Sequence, residues 1–282
     1  MARTKRKIQT LATIWEVDDT VWHGFILPVI NTRDPEAPTG RDRIDIRAAF
    51  NGIIYHMRTG CQWEALPERF GKKSSVHRTM QRWIQKGVFE EVWAVLINHC
   101  DELDGVTWDW QAADGALGKA RHGGDHVGKN PTDRGKNGTK RSLLVEGEGG
   151  PLAVVIDDAN VHDAKMLGRT IDAIVLPRPT PDEVEQHLCL DKGYDNPTGY
   201  TATLAAEYEP HVRRIGEERL EKTTRKRHPA RRWVVERTIG WLNRCRAILV
   251  RFAKKASNYL GLIQVACILL WYRRAWRLDV LG

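Results

Sequence analysis

The sequence is poor in cysteine and has no cysteine pattern typical of a disulfide or zinc framework. Its 282 residues include five cysteines, which are scattered and never form a C-x-x-C pair. An odd, scattered set argues against a disulfide scaffold, and the missing pairs argue against a structural zinc site. Since 41% of the residues are hydrophobic, the chain is expected to be globular, with one large domain or two modest ones.

The sequence also lacks a hydrophobic run long enough to predict a membrane span. Its most apolar stretch, residues 259–272, is about 14 residues long and is interrupted by Gln264, whereas a transmembrane helix needs roughly 20. The basic residues 1–7 precede a segment, residues 8–17, that is too polar for a signal peptide. We therefore expect a cytoplasmic protein without membrane contact, in which residues 259–272 form a buried helix.

Positive charge is in excess and is concentrated in two segments. The net charge is +8 and the isoelectric point is near 9.3. Residues 118–141 contain seven Lys or Arg against two Asp, and residues 213–255 contain fifteen against four Glu. A solvated helix face usually mixes both signs, so this imbalance favours contacts with the phosphates of a nucleic acid.

The first hundred residues predict helices. Apolar side chains in residues 44–57 recur at helical spacing, and the following loop, Cys61–Pro67, is expected to break the helix at Pro67. Further helices are predicted at Ser75–Lys86, capped by Ser74 or Ser75, and at Phe89–His99.

Together these three helices predict a DNA-binding region of the helix-turn-helix type at residues 1–105. The middle helix carries Arg78 and Arg82, which would face DNA. The alternative is a helical cap that only packs on the rest of the chain.

The remainder, residues 106–282, predicts a mixed α/β domain. The expected strands are Val106–Ala113, Ser142–Glu146, Leu152–Ile156, His187–Leu190 and His211–Ile215, and the expected helices are Asp163–Ile174, Pro197–Glu207, Ala230–Val250 and Ser257–Arg277. The Gly-rich segment 118–141 is expected to be a long basic loop. This order fits a mixed sheet covered by helices.

Three acidic residues occupy positions from which side chains can converge. Asp114 and Asp191 each follow a predicted strand and precede a turn, and Glu236 lies in a basic, apolar helix one turn after Arg232. Hard carboxylate oxygens bind Mg²⁺, and two such ions can stabilise an in-line displacement at phosphorus. Taken singly, each acid is more often a turn residue or an ion-pair partner.

The ordered set of motifs resembles insertion-sequence transposases of the Asp-Asp-Glu class over nearly the whole length. The matching segments are Arg58-Thr-Gly-Cys-Gln-Trp63, Asp114-Gly-Ala-Leu-Gly-Lys-Ala, Asn130-Pro-Thr-Asp-Arg-Gly-Lys136, Lys140-Arg141, Ala159-Asn-Val-His-Asp163, Asp191-Lys-Gly-Tyr-Asp195 and Arg231-Arg-Trp-Val-Val-Glu-Arg-Thr238. The resemblance implies an RNase H-like core with Asp114, Asp191 and Glu236 as catalytic metal ligands.

The class signature around the glutamate, Tyr-x2-Arg-x3-Glu-x6-Lys, is matched only in its middle, by Arg232 and Glu236. Pro229 stands at the Tyr position, beside His228, and Asn243 stands at the Lys position. Besides Arg232, the basic residues expected to contact DNA are Arg78, Arg82, Lys119, Lys136, Lys140, Arg141, Arg237, Arg244 and Arg246. Of these, Arg244 and Arg246 are suited to take over phosphate binding from the missing Lys.

The resemblance implies a reaction and its partners. With two Mg²⁺ ions, for which Mn²⁺ can substitute, water frees a 3′-OH at a transposon end, and that 3′-OH then attacks target DNA. The partners are double-stranded terminal inverted repeats and target DNA, and the protein is expected to be a homodimer on DNA. Two alternatives stay open, an RNase H-like nuclease that does not join ends and a catalytically dead DNA-binding regulator.

Overall fold

The computed structural model describes residues 14–37, 42–212 and 232–278. Within these ranges no helix is both long and apolar enough to cross a membrane. The strand predicted at His211–Ile215 and the basic segment 213–255 extend partly outside the described residues.

The first elements of the described residues are helices. Their bounds are α1 Asp19–Val21, a π-helical stretch Trp22–Ile26, α2 Leu27–Arg33, α3 Ile46–Thr59, α4 Lys73–Gln85 and α5 Val88–Asp101, with short 3₁₀ turns at Trp63–Ala65 and Glu68–Phe70. The three predicted helices are therefore present within a few residues of their expected bounds. The cap predicted for α4 is wrong, because Lys72 occupies that position and no side chain caps the helix.

Helix α3 shows how local chemistry fixes one of these elements. The Asp45 carboxylate accepts hydrogen bonds from the first backbone amides of the helix, and Gly60 ends it in the left-handed region at φ 64°. A Cβ at Gly60 would lie 2.9 Å from the Cβ of Arg246. Glycine at this position therefore both ends α3 and lets the distant segment around residue 246 pack against it.

A seven-stranded mixed sheet follows. Its strands are β1 Trp110–Ala120, β2 Gly128–Lys129, β3 Asn137–Glu146, β4 Pro151–Asp158, β5 His187–Leu190, β6 Glu209–Val212 and β7 Val250–Arg251. The helices are α6 Asp163–Asp172 and α7 Pro197–Ala205 between strands, then α8 Trp233–Leu242, α9 Arg246–Leu249 and α10 Ala256–Arg277.

The order of the long strands across the sheet is β4, β3, β1, β5, β6. Strand β3 pairs antiparallel with both β1 and β4, whereas β5 pairs parallel with β1 and β6 pairs parallel with β5. Short β2 pairs with the start of β3, and short β7 pairs with the end of β1. Three antiparallel strands extended by two parallel ones form an RNase H-like sheet, so the predicted fold class, with its helical N-terminal region, is confirmed.

The last helix joins the two regions. Helix α10 packs against α5 of the N-terminal helices and against β4 of the sheet. The indole nitrogens of Trp93 in α5 and Trp271 in α10 both donate to the carbonyl oxygen of Pro151, at 3.0 Å and 2.6 Å. All three residues are buried, so one hydrophobic core runs from the helices into the sheet.

Two sequence predictions in this region are wrong. The segment 118–141 is not one long loop, because β1 continues to Ala120 and β3 begins at Asn137, and the two strands pair from Gln111 to Lys119. The helix predicted at 230–250 is interrupted after Leu242, and the chain then forms α9 and β7. In both places long-range strand pairing overrides local composition.

Candidate functional site

The register of the central strands brings Asp114 and Asp191 to the same place. The last paired residues of β1 and β5 are Ala112 and Cys189, so Asp114 and Asp191 stand level two residues further along. Strand β5 ends at Leu190, whereas β1 continues. Asp191 therefore lies at an open edge of β1, beside the carboxylate of Asp114.

Arg232 connects Asp114 to Glu236. Its Nη1 lies 3.4 Å from Oδ2 of Asp114 and 2.8 Å from Oε1 of Glu236. The two carboxylate oxygens are therefore at most about 6 Å apart, which suits ligands of two metal ions that are themselves about 3.5–4 Å apart. Glu236 lies in the first turn of α8, and its side chain is half exposed. The structure thus joins Asp114 and Glu236 through one guanidinium, and Asp191 lies near enough to Asp114 for its charge to raise the pKa of Asp114.

The electrostatics of Asp114 are those of a buried carboxylate among other carboxylates. The pKa of Asp114 is raised to about 6, mainly by burial and to a smaller extent by Asp191 and Asp163, against the lowering effects of the Gly115 amide and of Arg232. The Gly115 amide donates to Oδ1 of Asp114 at 2.7 Å. A bound cation would stabilise the ionised form of such a carboxylate and lower its pKa.

A fourth acid, Asp163, also reaches this site, although it was not among the predicted site residues. It is the first residue of α6, and its Oδ1 lies 3.1 Å from Nζ of Lys140. The only signal in the sequence was the segment Ala159-Asn-Val-His-Asp163, which the resemblance included without giving Asp163 a role.

The residues present fit a divalent metal ion. The donors are carboxylate oxygens, the type that Mg²⁺ prefers. Oδ1 of Asp163 is buried and accepts no hydrogen bond, its ion pair with Lys140 apart. The hydroxyl of the buried Tyr194 also has no hydrogen bond of good geometry among the described residues, although Ser142 is near enough to affect its pKa. Burial and the three aspartates Asp163, Asp114 and Asp191 raise that pKa well above its ordinary value.

The predicted DNA-contacting residues divide into exposed and buried ones. Lys119 and Lys136 are exposed, with their ammonium groups 3.7 Å and 3.5 Å from carboxylate oxygens of Asp133. Arg244 and Arg246 are also exposed, just after α8. These four side chains are accessible to a phosphate backbone.

Arg237 on α8 lies between two tryptophans. Its guanidinium carbon is 4.4 Å from the ring centre of Trp233 and 4.9 Å from that of Trp241, and the guanidinium donates to the carbonyl of Glu148. Trp233 is 50% exposed. The aromatic rings and the guanidinium therefore form a rigid, partly exposed stack on α8.

Lys140 and Arg141 are buried in β3 instead of lying in a basic loop. Lys140 pairs with Asp163, as described above. Nη2 of Arg141 donates to Oδ1 of Asn243 at 2.8 Å. Asn243, which stands at the Lys position of the class signature, thus holds a buried arginine, whereas Pro229 at the Tyr position and His228 beside it lie outside the described residues.

The two arginines of α4 differ from each other. Arg78 is exposed, whereas Nε of Arg82 donates to Oδ2 of the buried Asp34 at 2.9 Å. Asp34 also binds Arg43 and Lys86. Arg82 therefore has a partner inside the protein, and Arg78 is the more accessible of the two to DNA.

Comparison with known families gives two matches in series. Residues 17–93 match the family described as "Putative transposase of IS4/5 family", and residues 103–271 match the "Transposase DDE domain". The second match covers more than half of the chain and includes Asp114, Asp191 and Glu236.

Curated relatives agree with these matches. Over 169 residues the chain is 31% identical to the "Putative transposase for insertion sequence element IS402" of Burkholderia cepacia, which covers 56% of this chain and 74% of that protein. It is 29% identical over 119 residues to the "Insertion element IS402 uncharacterized 16.2 kDa protein" of the same organism, which covers 41% of this chain and 80% of that protein.

Among solved structures, the chain is similar to the crystal structure of the Mos1 mariner paired end complex with Mn. The sequence identity is 9%, the match covers 88% of this chain and 82% of that chain, and the TM-score is 0.27. So low a TM-score adds nothing to the fold, which rests on the strand order. The family matches and the IS402 relative show that the chain belongs to the DDE transposase family, the enzymes that cleave DNA and transfer it.

Proposed function

We propose that Asp114, Asp191 and Glu236 are the catalytic carboxylates of this transposase. The observation that supports this most directly is the convergence of three acids from β1, the end of β5 and α8 around Arg232 and Asp114. These segments are far apart in sequence, and their like charges would repel each other without a cation.

Membership of the DDE transposase family carries a requirement for a divalent metal ion. We propose that the ions are two Mg²⁺, for which Mn²⁺ can substitute, held by Asp114, Asp191 and Glu236. When bound there, such ions lower the pKa of an attacking water and stabilise charge on the phosphate oxygens.

Arg232 has a role of its own in this proposal. In the structure it offsets the charges of Asp114 and Glu236. If those carboxylates held cations, the guanidinium would be free to bind a phosphate oxygen, for which its planar geometry is suited. The same side chain thereby stabilises the metal-free site and positions the scissile phosphodiester.

The DNA path follows the exposed cations. We propose that Lys119, Lys136, Arg237, Arg244 and Arg246 bind the backbone near the catalytic acids, while Lys140 and Arg141 support the site from inside β3. Arg78, with a smaller contribution from Arg82, would contact DNA from the helical region at residues 1–105, separate in function from residues 106–282.

Transposition requires both ends of an element to be held together. We therefore propose that the protein acts as a homodimer on double-stranded terminal inverted repeats and target DNA. Its substrate lies in the nucleoid, so we propose a cytoplasmic location in a bacterial-type cell.

The decisive experiment is Mg²⁺-dependent cleavage and strand transfer in vitro on DNA that carries the repeats flanking the coding region. The variants are Asp114→Asn, Asp191→Asn and Glu236→Gln, with Asp172→Asn, on the exposed far end of α6, as the matched control. We expect the first three to bind DNA normally and to lose roughly 10³-fold or more of both steps, and the control to retain wild-type rates.

Other outcomes favour the alternatives. Wild-type protein that nicks DNA but never joins a pre-cut end to a second duplex would indicate a nuclease. Wild-type protein that only binds DNA would indicate a regulator. If the three variants cut as well as wild type, the proposed acids are wrong.

A further inference from the structure

The site contains a close contact that the three-acid scheme does not explain. A Cβ built on Gly115 would lie 2.0 Å from Oδ1 and 2.9 Å from Cγ of Asp163. No other residue type fits there without displacing the Asp163 carboxylate. Because Gly115 directly follows Asp114 in β1, Asp163 lies against the backbone of the strand that carries the first catalytic acid.

The fold directs Asp163 to this place. Asp114 is paired with Leu143 across β1 and β3, whereas Gly115, one residue on, faces the opposite side of the sheet. Helix α6 covers that opposite side, where Oγ1 of Thr170 donates to Oγ of Ser142 at 2.8 Å. Since β5 ends before this level of β1, the edge beside Asp114 is open, and the Asp163 carboxylate from α6 lies against Gly115 and near enough to Asp114 to raise its pKa.

Two buried polar atoms at this place, one on Asp163 and one on Tyr194, lack hydrogen bonds of good geometry. Its Oδ1 accepts no hydrogen bond and has one ion-pair partner, Nζ of Lys140 at 3.1 Å. The hydroxyl of Tyr194, a side chain that is 1% exposed, also has no hydrogen bond of good geometry among the described residues. Most buried polar atoms are hydrogen-bonded, so these two call for an explanation, and a bound cation is one that suits the carboxylate.

We propose that Asp163 is a fourth carboxylate of the metal site and binds a divalent cation together with Asp114 and Asp191. The inference rests on the proposed function of those two acids and adds a ligand from the opposite face of the sheet. A carboxylate that approaches through a gap left by glycine can share an ion with Asp114 although the two side chains start on different faces. Lys140 would then hold Asp163 in place while the ion is absent.

The competing explanation is that Asp163 only neutralises the buried Lys140. Double substitution separates the two explanations. If neutralisation is the whole role, adding Lys140→Met to Asp163→Asn should restore the Mn²⁺ binding that Asp163→Asn alone loses. If Asp163 is a ligand, the double variant should still bind Mn²⁺ weakly, because no other group replaces the lost carboxylate.

The experiment measures Mn²⁺ binding to the full-length protein without DNA, by calorimetry and by the electron paramagnetic resonance of free Mn²⁺. We expect Asp163→Asn to weaken binding about tenfold or more, or to remove one ion. The double variant should remain equally weak, and Asp172→Asn on the same helix should match wild type. Restoration of wild-type binding in the double variant would overturn the proposal.

A second variant tests the contact without changing any acid. Gly115→Ala leaves every carboxylate in the chain but displaces Asp163, so it should weaken Mn²⁺ binding in a protein whose circular dichroism and melting temperature show it to be folded. Unchanged binding in folded Gly115→Ala protein would also overturn the proposal. Asp114→Asn is the reference: if it leaves Mn²⁺ binding intact, the proposed three-acid site fails, independently of Asp163.

Discussion

Two aspartates, Asp34 buried in the helical region and Asp114 partly buried in the sheet, have opposite surroundings. Asp34 is 1% exposed and accepts from Arg82, Lys86 and the Trp83 indole nitrogen at 2.9, 2.8 and 3.0 Å, and from Arg43 at 3.3 Å. These cations hold its pKa below the ordinary value, although burial acts in the other direction.

Asp114 is less enclosed, with 20% of its side chain exposed, and it shares a single arginine with Glu236. Its pKa is raised to about 6, first by burial and then by Asp191 and Asp163, with Arg232 acting in the other direction. The cations around Asp34 outweigh the effect of burial, whereas the one arginine beside Asp114 does not. Cations of the protein itself balance the charge of Asp34, whereas the charge of Asp114 is left to be balanced by a cation that the protein binds. A buried acid among acids is therefore a better indicator of a functional site than burial alone.

The largest expected contrast comes from removing each acid. Asp34→Ala leaves three cations without their carboxylate and should lower the free energy of unfolding by about 3 kcal/mol. Asp114→Asn removes like-charge repulsion and should leave that free energy unchanged or higher, while strand transfer falls roughly 10³-fold or more.

Urea denaturation and a strand-transfer assay on the folded protein measure the two effects. The Asp34→Ala variant should join ends at the wild-type rate per folded molecule. Similar losses of stability in both variants would contradict the comparison.

The pH dependences should have opposite signs. Between about pH 4 and 6 the folded protein binds more protons at Asp114 than the unfolded chain, so the contribution of Asp114 lowers stability as pH rises through this window. The contribution of Asp34 is present above pH 4 and is lost as pH falls through its lowered pKa. Subtracting the urea profiles of Asp114→Asn and Asp34→Asn from that of wild type isolates each slope.

The same pKa limits metal binding. Mn²⁺ must displace a proton from Asp114 below pH 6, so affinity should fall about tenfold from pH 7 to pH 5. A titration in which the affinity is constant over that range would show that Asp114 is ionised without the metal.

A smaller effect is expected from Arg232, the cation that Asp114 shares with Glu236. Arg232→Gln removes a positive charge that competes with metal ions, so Mn²⁺ binding to the DNA-free protein should tighten by about three- to tenfold. Strand transfer should nevertheless decrease, because the guanidinium no longer positions the phosphate. Calorimetry and the joining assay on the same preparation test both; weaker Mn²⁺ binding would count against the role assigned to Arg232.

The smallest expected effect concerns the arginines of α4. Arg78→Gln should weaken DNA binding and reduce the slope of log K against log salt by about 1. Arg82→Gln should change that slope less and mainly lower stability, because its Nε donates to Asp34. Fluorescence anisotropy at several salt concentrations, with urea denaturation alongside, distinguishes the two. A larger loss of salt dependence in Arg82→Gln would reverse their assignment.

The sequence was informative where a local pattern decides the structure. The helices around residues 50, 80 and 95, the order of strands and helices in the sheet, the position of Asp191 at a strand end and that of Glu236 on a helix were all predictable. The strand end predicted at Asp114 is wrong, because β1 continues through this residue to Ala120. Strand pairing was not predictable. Gly115, Gly118 and their neighbours resemble loop residues, yet β1 continues through them because β3 lies alongside.

Asp163 illustrates the same limit for the site. Its position beside Gly115 depends on a pairing of residues 48 positions apart across α6 and β1, which no local spacing encodes. Lys140 and Arg141 were predicted in a solvent-exposed loop for the same reason, and the structure places them inside β3.

The carbonyl of Pro151, which both Trp93 and Trp271 bind, has a consequence for how the chain is made. Helix α5 is complete at Asp101, but α10, its partner in this contact, ends only at Arg277. At a synthesis rate of about 5–20 residues per second, α5 must wait on the order of ten seconds or more on the ribosome before α10 emerges. During that interval the face of α5 that packs against α10 in the folded protein lacks this partner, so we expect the nascent transposase to require chaperone protection until α10 is released.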